Sequence, residues 1–465
     1  MLNDQIELKE KCGVFGIYEA EDAAKLAVLG LHALQHRGQE GAGIVCHNEV
    51  SFNSFYANGH VGDNYNKPEI INSLKGNTAI GHVRYSTSGS KQTTCTQPLL
   101  VNLDVGNFSL AHNGNLTNAE TLKKELVKQG CIFQTSMDTE VFMHLIARDK
   151  SKDFITRFTN ALKIVKGAFS LVALDKDNLY AVRDANGVRP LVLGKVNDSF
   201  VVASETCALD IIGAKYVRDI EAGEMVIINK DGIKSLKIFD NEPSKFCIFE
   251  YVYFARPDST LGNVHVYEAR KNIGQELAKE SSVQADLIVP VPDSGVPAAM
   301  GYAKQSGIDF ELGIIRNHYV GRTFIEPTDN VRHLGVKLKH NANGALLKGK
   351  KVILVDDSIV RGTTSKKIVQ MVRDAGAAEV HMRIASPPTI NSCYYGVDTP
   401  EREKLMAYNY SVQEMAKLIN ADSLSFITID GLYRALGHKS RDNKESQFCD
   451  ACFTSDYPIE VVDKI

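Results

Sequence analysis

The sequence has almost none of what would mark a nucleic-acid or membrane protein. Its 465 residues carry 53 Lys and Arg against 56 Asp and Glu, a formal balance of −3. No basic field is present to draw in a polyanion or an anionic bilayer. No apolar run approaches the roughly 18 residues that span a bilayer. The first eleven residues are charged (Asp4, Glu7, Lys9, Glu10, Lys11) and lack an apolar core, which excludes a secretory signal. The nine cysteines (Cys12, Cys46, Cys95, Cys131, Cys207, Cys247, Cys393, Cys449 and Cys452) are odd in number and mostly irregular in spacing. Without a signal, they do not read as a disulfide framework. There is no internal repeat and no low-complexity stretch. A cytoplasmic protein with neither nucleic acid nor membrane as partner is expected.

What is present is an ordinary globular balance, 44% hydrophobic and 23% charged. The length suits two large domains or about three of roughly 150 residues. The first two hundred residues read as short strands interrupted by two helical patterns, at 23–35 and 118–129. Strands are expected at 14–18, 169–174, 179–183, 191–193 and 200–203. This is a mixed sheet with helices rather than a βαβ array. Residues 229–246 are polar, with Gly232 and Pro243, and read as a boundary. Beyond them strands at 285–291 and 351–355 are each followed by a turn and a helix, from about Pro297 and Thr364. That alternation implies a parallel, doubly wound sheet. Residues 316–343 read as a long loop, uncommon unless it is functional.

Lys351-Val-Ile-Leu-Val-Asp-Asp-Ser-Ile-Val-Arg-Gly-Thr-Thr-Ser365 carries the most chemistry. A buried strand delivers Asp356 and Asp357 to its carboxyl end, where open α/β sheets bind ligands. Gly362 lets backbone approach closely. The helix-start amides and the Thr363 and Thr364 hydroxyls can cradle a phosphate, and the carboxylates can hold ribose hydroxyls and a hydrated Mg²⁺. The string resembles the phosphoribosyl pyrophosphate (PRPP) signature of the type I phosphoribosyltransferases. The resemblance implies that Asp356 and Asp357 contact the ribose and one Mg²⁺ per subunit. Ser358, Ile359, Val360, Arg361, Gly362, Thr363 and Thr364 would then hold the 5′-phosphate. Val289-Pro-Val-Pro-Asp-Ser-Gly295 resembles the pyrophosphate loop of that family, with Asp293 on PRPP and Ser294 as a further metal contact. The 316–343 segment falls where the family carries a mobile lid, with Arg322, Arg332, Lys337 and Lys339 suited to a pyrophosphate leaving group.

In the N-terminal half, Cys12-Gly-Val-Phe-Gly-Ile17 is followed by Leu34-Gln-His-Arg-Gly-Gln-Glu-Gly-Ala-Gly43, Gly81-His-Val-Arg-Tyr-Ser-Thr87, His112-Asn-Gly-Asn-Leu116 and Asp138-Thr-Glu140. Together and in this order they resemble the class II glutamine amidotransferases, which are N-terminal-nucleophile hydrolases. The resemblance implies an α+β fold, an αββα sandwich, in which Cys12 is the nucleophile and its own α-amine the general base. Residues 1–11 would be a propeptide, since only their removal frees an amine with a pKa near 8. Asn113 and the Gly114 N–H would form the oxyanion hole. Arg84 would pair with the glutamine carboxylate and Asp138 with its ammonium. Met137 stands where many relatives have serine.

Cys449-Asp-Ala-Cys452 alone fits zinc, a redox pair or iron–sulfur. Its context and those of Cys247 and Cys393 resemble the iron–sulfur subgroup of glutamine PRPP amidotransferases, which implies one [4Fe–4S] cluster per subunit on these four cysteines. Cys46, Cys95, Cys131 and Cys207 are left as packing. The expected organisation is a propeptide at 1–11, an amidotransferase domain at 12–240, a phosphoribosyltransferase domain at 241–440 and a cysteine-bearing segment at 441–465. The implied reaction takes glutamine and PRPP to 5-phosphoribosylamine, pyrophosphate and glutamate, the first committed step of purine synthesis. The family further implies purine-nucleotide feedback inhibition and a homotetramer. Two rivals remain: an amidotransferase acting on a sugar phosphate, which would lack Asp356-Asp357-Ser358, and a PRPP-sensing regulator, which would need a basic DNA-binding domain.

Overall fold

The computed structural model describes residues 9–10, 12–48, 50–85, 95–239, 242–317 and 340–463. The N-terminal half is a sandwich of two antiparallel sheets flanked by helices. One sheet has seven strands, in the order Lys215–Asp219, Val192–Val196, Ser199–Ala203, Gly13–Tyr18, Thr78–Arg84, Gly41–His47, Phe52–Asn58. The other has six, in the order Gly232–Lys237, Glu224–Asn229, Leu179–Arg183, Gly167–Leu174, Gly106–Leu116, Leu99–Leu103. Strand alternation sorts the side chains. On the nucleophile strand, Val14 joins Val45, Ile80, Val172 and Val202 between the sheets. Phe15 and Ile17 face the helix Ala23–Ala33 with Ala27 and Leu31. Gly30 admits the Phe15 ring, since a Cβ there would lie 2.3 Å from it. On the far face, Thr139–Arg148 and Phe154–Ile164 bury Phe142, Ile146, Phe158 and Leu162 against the second sheet.

The C-terminal half is built on four parallel strands in the order Leu287–Pro290, Lys351–Asp356, Glu379–Ile384, Ser423–Phe426. Both faces are covered, as an all-parallel sheet requires. Ile353 and Val355 pack toward Ile273, Leu277, Ala298 and Leu432. Val352 and Leu354 pack toward Ile368, Val372 and Met415.

The sandwich and the doubly wound sheet match the expectation from sequence, with three differences. Thr139–Arg148 and Phe154–Ile164 are helices beyond the two that were read. Gly232–Lys237, read as part of a polar boundary, is an edge strand hydrogen-bonded to Glu224–Asn229; its exposed face explains its polarity. At the two ends of the segment read as a long loop, Ile314–Arg316 pairs with His340–Ala342, and residues 318–339 between them lie outside the described residues.

The halves are joined by buried charge. Arg37 pairs with Glu205 through Nε and with Glu250 through a 2.7 Å Nη2 contact, and Arg189 reaches Glu250 at 3.1 Å. All four side chains are fully buried. Glu250 opens the π-helix Glu250–Phe254, the first helical turn after the boundary. Removing one member of such a set strands the others without compensation. Glu250→Ala should therefore cost about 3–5 kcal/mol, read as a drop in the denaturant midpoint, with Glu250→Gln less damaging. An unchanged midpoint would show that these charges do not hold the halves together.

Candidate active site

Cys12 sits at a bend just before the strand Gly13–Tyr18, with a positive φ of 70°. Its backbone N–H donates to the Arg37 carbonyl at 3.2 Å. It lines a cavity of about 370 Å³ whose walls also include Arg84, Gly114 and Asp138. The strand Thr78–Arg84 brings in Arg84 and the strand Gly106–Leu116 brings in Gly114, and Asp138 immediately precedes the helix Thr139–Arg148. Asp138 is held by the Leu116 N–H, which donates to Oδ2 at 2.9 Å, and by a 3.6 Å contact with His112 Nδ1. Beneath the floor, burial pushes His82 down to about 3. It is therefore a neutral ring at physiological pH, and its Nε2 lies 3.2 Å from the His112 carbonyl oxygen.

Gly114 has φ +149°, and a Cβ there would lie 2.0 Å from the Ala168 carbonyl oxygen, so no other residue fits. The preceding Asn113 is fully buried and is not part of the cavity wall. Among the described residues, neither its Oδ1 nor its Nδ2 has a hydrogen-bond partner. An orphaned buried amide is costly, and this one directly precedes Gly114 of the cavity wall. Ser86 and Thr87 of the arginine motif lie outside the described residues.

Several cavity residues were not singled out from sequence. Cys95 was assigned to packing, yet it lines the cavity, with its Sγ 3.6 Å from Ser136 Oγ. Tyr394, Val461 and Asp463 come from the far end of the chain. No local pattern marks them, because their role depends on tertiary approach. Gly396 shows how close that approach is: a Cβ there would lie 2.9 Å from Gly114 Cα.

In the C-terminal half, Asp356 and Asp357 stand at the end of the central strand, mostly buried. The Asp357 N–H donates to Asp356 Oδ1 at 2.9 Å, and Ser358 Oγ donates to Asp357 Oδ1 at 2.6 Å. Ile359 and Val360 point into the core, so only their backbone can serve a ligand. Gly362, with φ +73°, leads into the helix Thr363–Asp374. Gly362, at the N-cap, has no side chain with which to cap that helix start, whose first-turn amides suit an anion. Asp293 and Ser294 follow the neighbouring strand, and Asp293 is paired with Arg316 at the base of the loop. Arg322, Arg332, Lys337 and Lys339 lie outside the described residues.

Cys247, Cys393, Cys449 and Cys452 surround one small cavity, about 30 Å³, with Phe249, Phe254, Tyr395 and Tyr457. The strand Phe246–Cys247 pairs in parallel with Phe448–Cys449, setting Cys247 opposite Cys449. None of the four is in a disulfide. Burial pushes the Cys247 thiol up to about 12, and Cys449 and Cys452 are also well above the ordinary thiol value. As placed, no three His, Cys, Asp or Glu among the described residues are spaced to hold a single metal ion. Four soft donors around one apolar space fit a sulfide-bridged cluster.

Two families match. One described as a glutamine amidotransferase domain covers residues 82–210, and one described as a phosphoribosyl transferase domain covers 262–393. The amidophosphoribosyltransferase of Rhizobium etli is 54% identical over 463 residues, covering 98% of this chain and 93% of the relative. That of Bacillus subtilis is 47% identical over 462 residues, covering 99% and 97%. The chain belongs to the amidophosphoribosyltransferase family. A structure of glutamine PRPP amidotransferase from Bacillus subtilis, complexed with ADP and GMP, superposes with a TM-score of 0.92 at 46% identity, covering 98% of this chain and 99% of that one. Full-length membership of the amidophosphoribosyltransferase family makes the chain an enzyme of glutamine-dependent amidotransfer to PRPP. It removes both rivals, the sugar-phosphate amidotransferase and the PRPP-sensing regulator.

Proposed function

We propose that the cavity at Cys12 releases ammonia from glutamine and that the Asp356–Asp357 loop receives it on PRPP, yielding 5-phosphoribosylamine at the entry to purine synthesis. The supporting observation is that Cys12, Arg84, Gly114 and Asp138 share one cavity in a chain that also carries the Asp356–Thr364 phosphate loop. Arg84 pairs with the glutamine carboxylate and Asp138 with its ammonium. The thiolate attacks the side-chain amide carbon while the Cys12 α-amine takes the thiol proton. The Gly114 N–H and the Asn113 amide stabilise the oxyanion. The amine then returns the proton to the departing ammonia, and water cleaves the thioester to glutamate.

This chemistry requires removal of residues 1–11. The positive φ at Cys12 is consistent with that. It costs a non-glycine residue roughly 1–2 kcal/mol, and the torsion ceases to exist once the preceding peptide bond is cut. The Arg37 carbonyl that accepts from the Cys12 N–H would then hold the free amine.

At the second site, Asp356 and Asp357 hold the ribose hydroxyls and one Mg²⁺, with Ser294 nearby. Residues 358–364 hold the 5′-phosphate; Asp293 and Lys337 serve the pyrophosphate. Bound there, Mg²⁺ would neutralise charge on the leaving pyrophosphate. Ammonia adds to C1 as pyrophosphate departs. Cys247, Cys393, Cys449 and Cys452 would hold one [4Fe–4S] cluster, whose role would be structural, since the reaction moves no electrons. Feedback inhibition by purine nucleotides, a homotetramer and a cytoplasmic location complete the proposal. The Bacillus subtilis structure bound to ADP and GMP supports the nucleotide regulation.

Two outcomes test this. Cys12→Ala should abolish glutamine-dependent synthesis and leave ammonium-dependent synthesis intact, whereas Asp356→Ala or Asp357→Ala should depress both. Loss of both in Cys12→Ala would contradict the division of labour. Anaerobically prepared protein should be brown, with about four iron and four sulfide per chain, and Cys393→Ser should give insoluble or rapidly degraded chain. Colourless, active protein holding one zinc would contradict the cluster.

A further inference from the structure

The helix Ala119–Lys128 starts at the rim of the Cys12 cavity, which Ala119, Glu120 and Lys123 help to line. Its first-turn amides need acceptors, yet its N-cap residue Asn118 gives no side-chain cap. The Asn118 side chain is used elsewhere: Oδ1 accepts from the Lys166 N–H at 2.9 Å, and Nδ2 donates to the Ile164 carbonyl at 3.2 Å. The acceptor comes from the opposite end of the chain. Asp463 Oδ2 accepts from the Glu120 N–H at 2.7 Å. Asp463 Oδ1 accepts from the Thr121 N–H at 3.2 Å and from Thr121 Oγ1 at 2.6 Å.

The same tail grips the residue before the helix. The Asp463 N–H donates to the Thr117 carbonyl at 2.7 Å, and Thr117 Oγ1 donates to the Glu460 carbonyl at 2.7 Å. Lys166 pairs with Glu460 at 2.5 Å. Upstream, Tyr395 holds Ile459 by accepting from its N–H at 3.0 Å and donating to its carbonyl. Val461 and Asp463 are themselves part of the cavity wall. Thr117 is one residue from Leu116, whose N–H donates to Asp138.

We propose that residues 459–463 form a wall of the glutamine cavity, and that Asp463 is a positioning residue for glutamine. By fixing Thr117 and the helix start, it sets the Leu116 N–H that orients the Asp138 carboxylate. The inference rests on the reading of this cavity as the glutamine site. A carboxylate at a helix start also favours the helix dipole, so the contact is both a cap and a clamp.

The test uses full-length Asp463→Ala and Asp463→Asn proteins, each assayed with glutamine and with ammonium as nitrogen source. Asp463→Ala should raise the KM for glutamine by about five- to thirty-fold, with little change in ammonium-dependent turnover. Asp463→Asn keeps an acceptor oxygen for the amides and should recover most of that loss. An unchanged KM for glutamine in Asp463→Ala would overturn the proposal. So would a parallel fall of both activities, which is what general destabilisation gives. Cys12→Ala run alongside separates the two readings: if it still consumes glutamine, the cavity assignment fails; if it does not, and Asp463→Ala binds glutamine normally, only the tail inference fails.

Discussion

Arg37, Arg189, Glu205 and Glu250 are charged groups with no access to water, and the architecture is arranged to keep them paired. Isolated, any one would be intolerable in such surroundings. Burial alone would raise the Glu205 carboxyl, yet Arg37 and then His36 outweigh it and hold it well below the usual range. It therefore stays ionised at physiological pH. Ser259 Oγ donates to it at 2.7 Å and the Arg256 N–H at 2.8 Å, so a group on the sandwich also fastens the chain that enters the second domain.

From this set the structure runs toward both sites. The Arg37 backbone carbonyl accepts from the Cys12 N–H, so the residue whose side chain is locked between two glutamates also places the atom proposed as general base. In the other direction, Glu250 begins the turn Glu250–Phe254. Arg270 binds that turn by donating from Nε to the Tyr251 carbonyl at 3.0 Å and from Nη2 to the Ala255 carbonyl at 2.7 Å. Burial pushes the Arg270 guanidinium below its ordinary value, and the negative charge of Asp357 in the phosphate loop works against that. The aromatic segment 251–254 thus lies between two anchored ends.

Much of this was legible in the sequence because it is local. Asp356–Asp357 followed by Gly362 is a strand end, a turn and a helix start within seven residues, and a short pattern can specify all three. The alternation of Val14 with Phe15 and Ile17 sorts one strand between two cores. That Cys247, Cys393, Cys449 and Cys452 would come together was expected only from their surroundings, since a parallel pairing of Phe246–Cys247 with Phe448–Cys449 joins segments two hundred residues apart. What escaped was set by tertiary approach. The helices Thr139–Arg148 and Phe154–Ile164 were missed although Asp153 caps the second of them by accepting from the Thr156 N–H, a start signal that was there to be read. Gly232–Lys237 is an edge strand, polar because one face meets water. Cys95, Tyr394, Val461 and Asp463 enter the cavity only once the chain has folded back on itself.

The central claim is that two sites on one chain answer to each other through the buried charges and the turn they hold. The most direct measurement is glutamate release from glutamine with and without PRPP and Mg²⁺. The account predicts slow hydrolysis alone and a clear rise when PRPP binds. Equal rates in both conditions would mean that the halves run independently, and the coupling described here would be wrong.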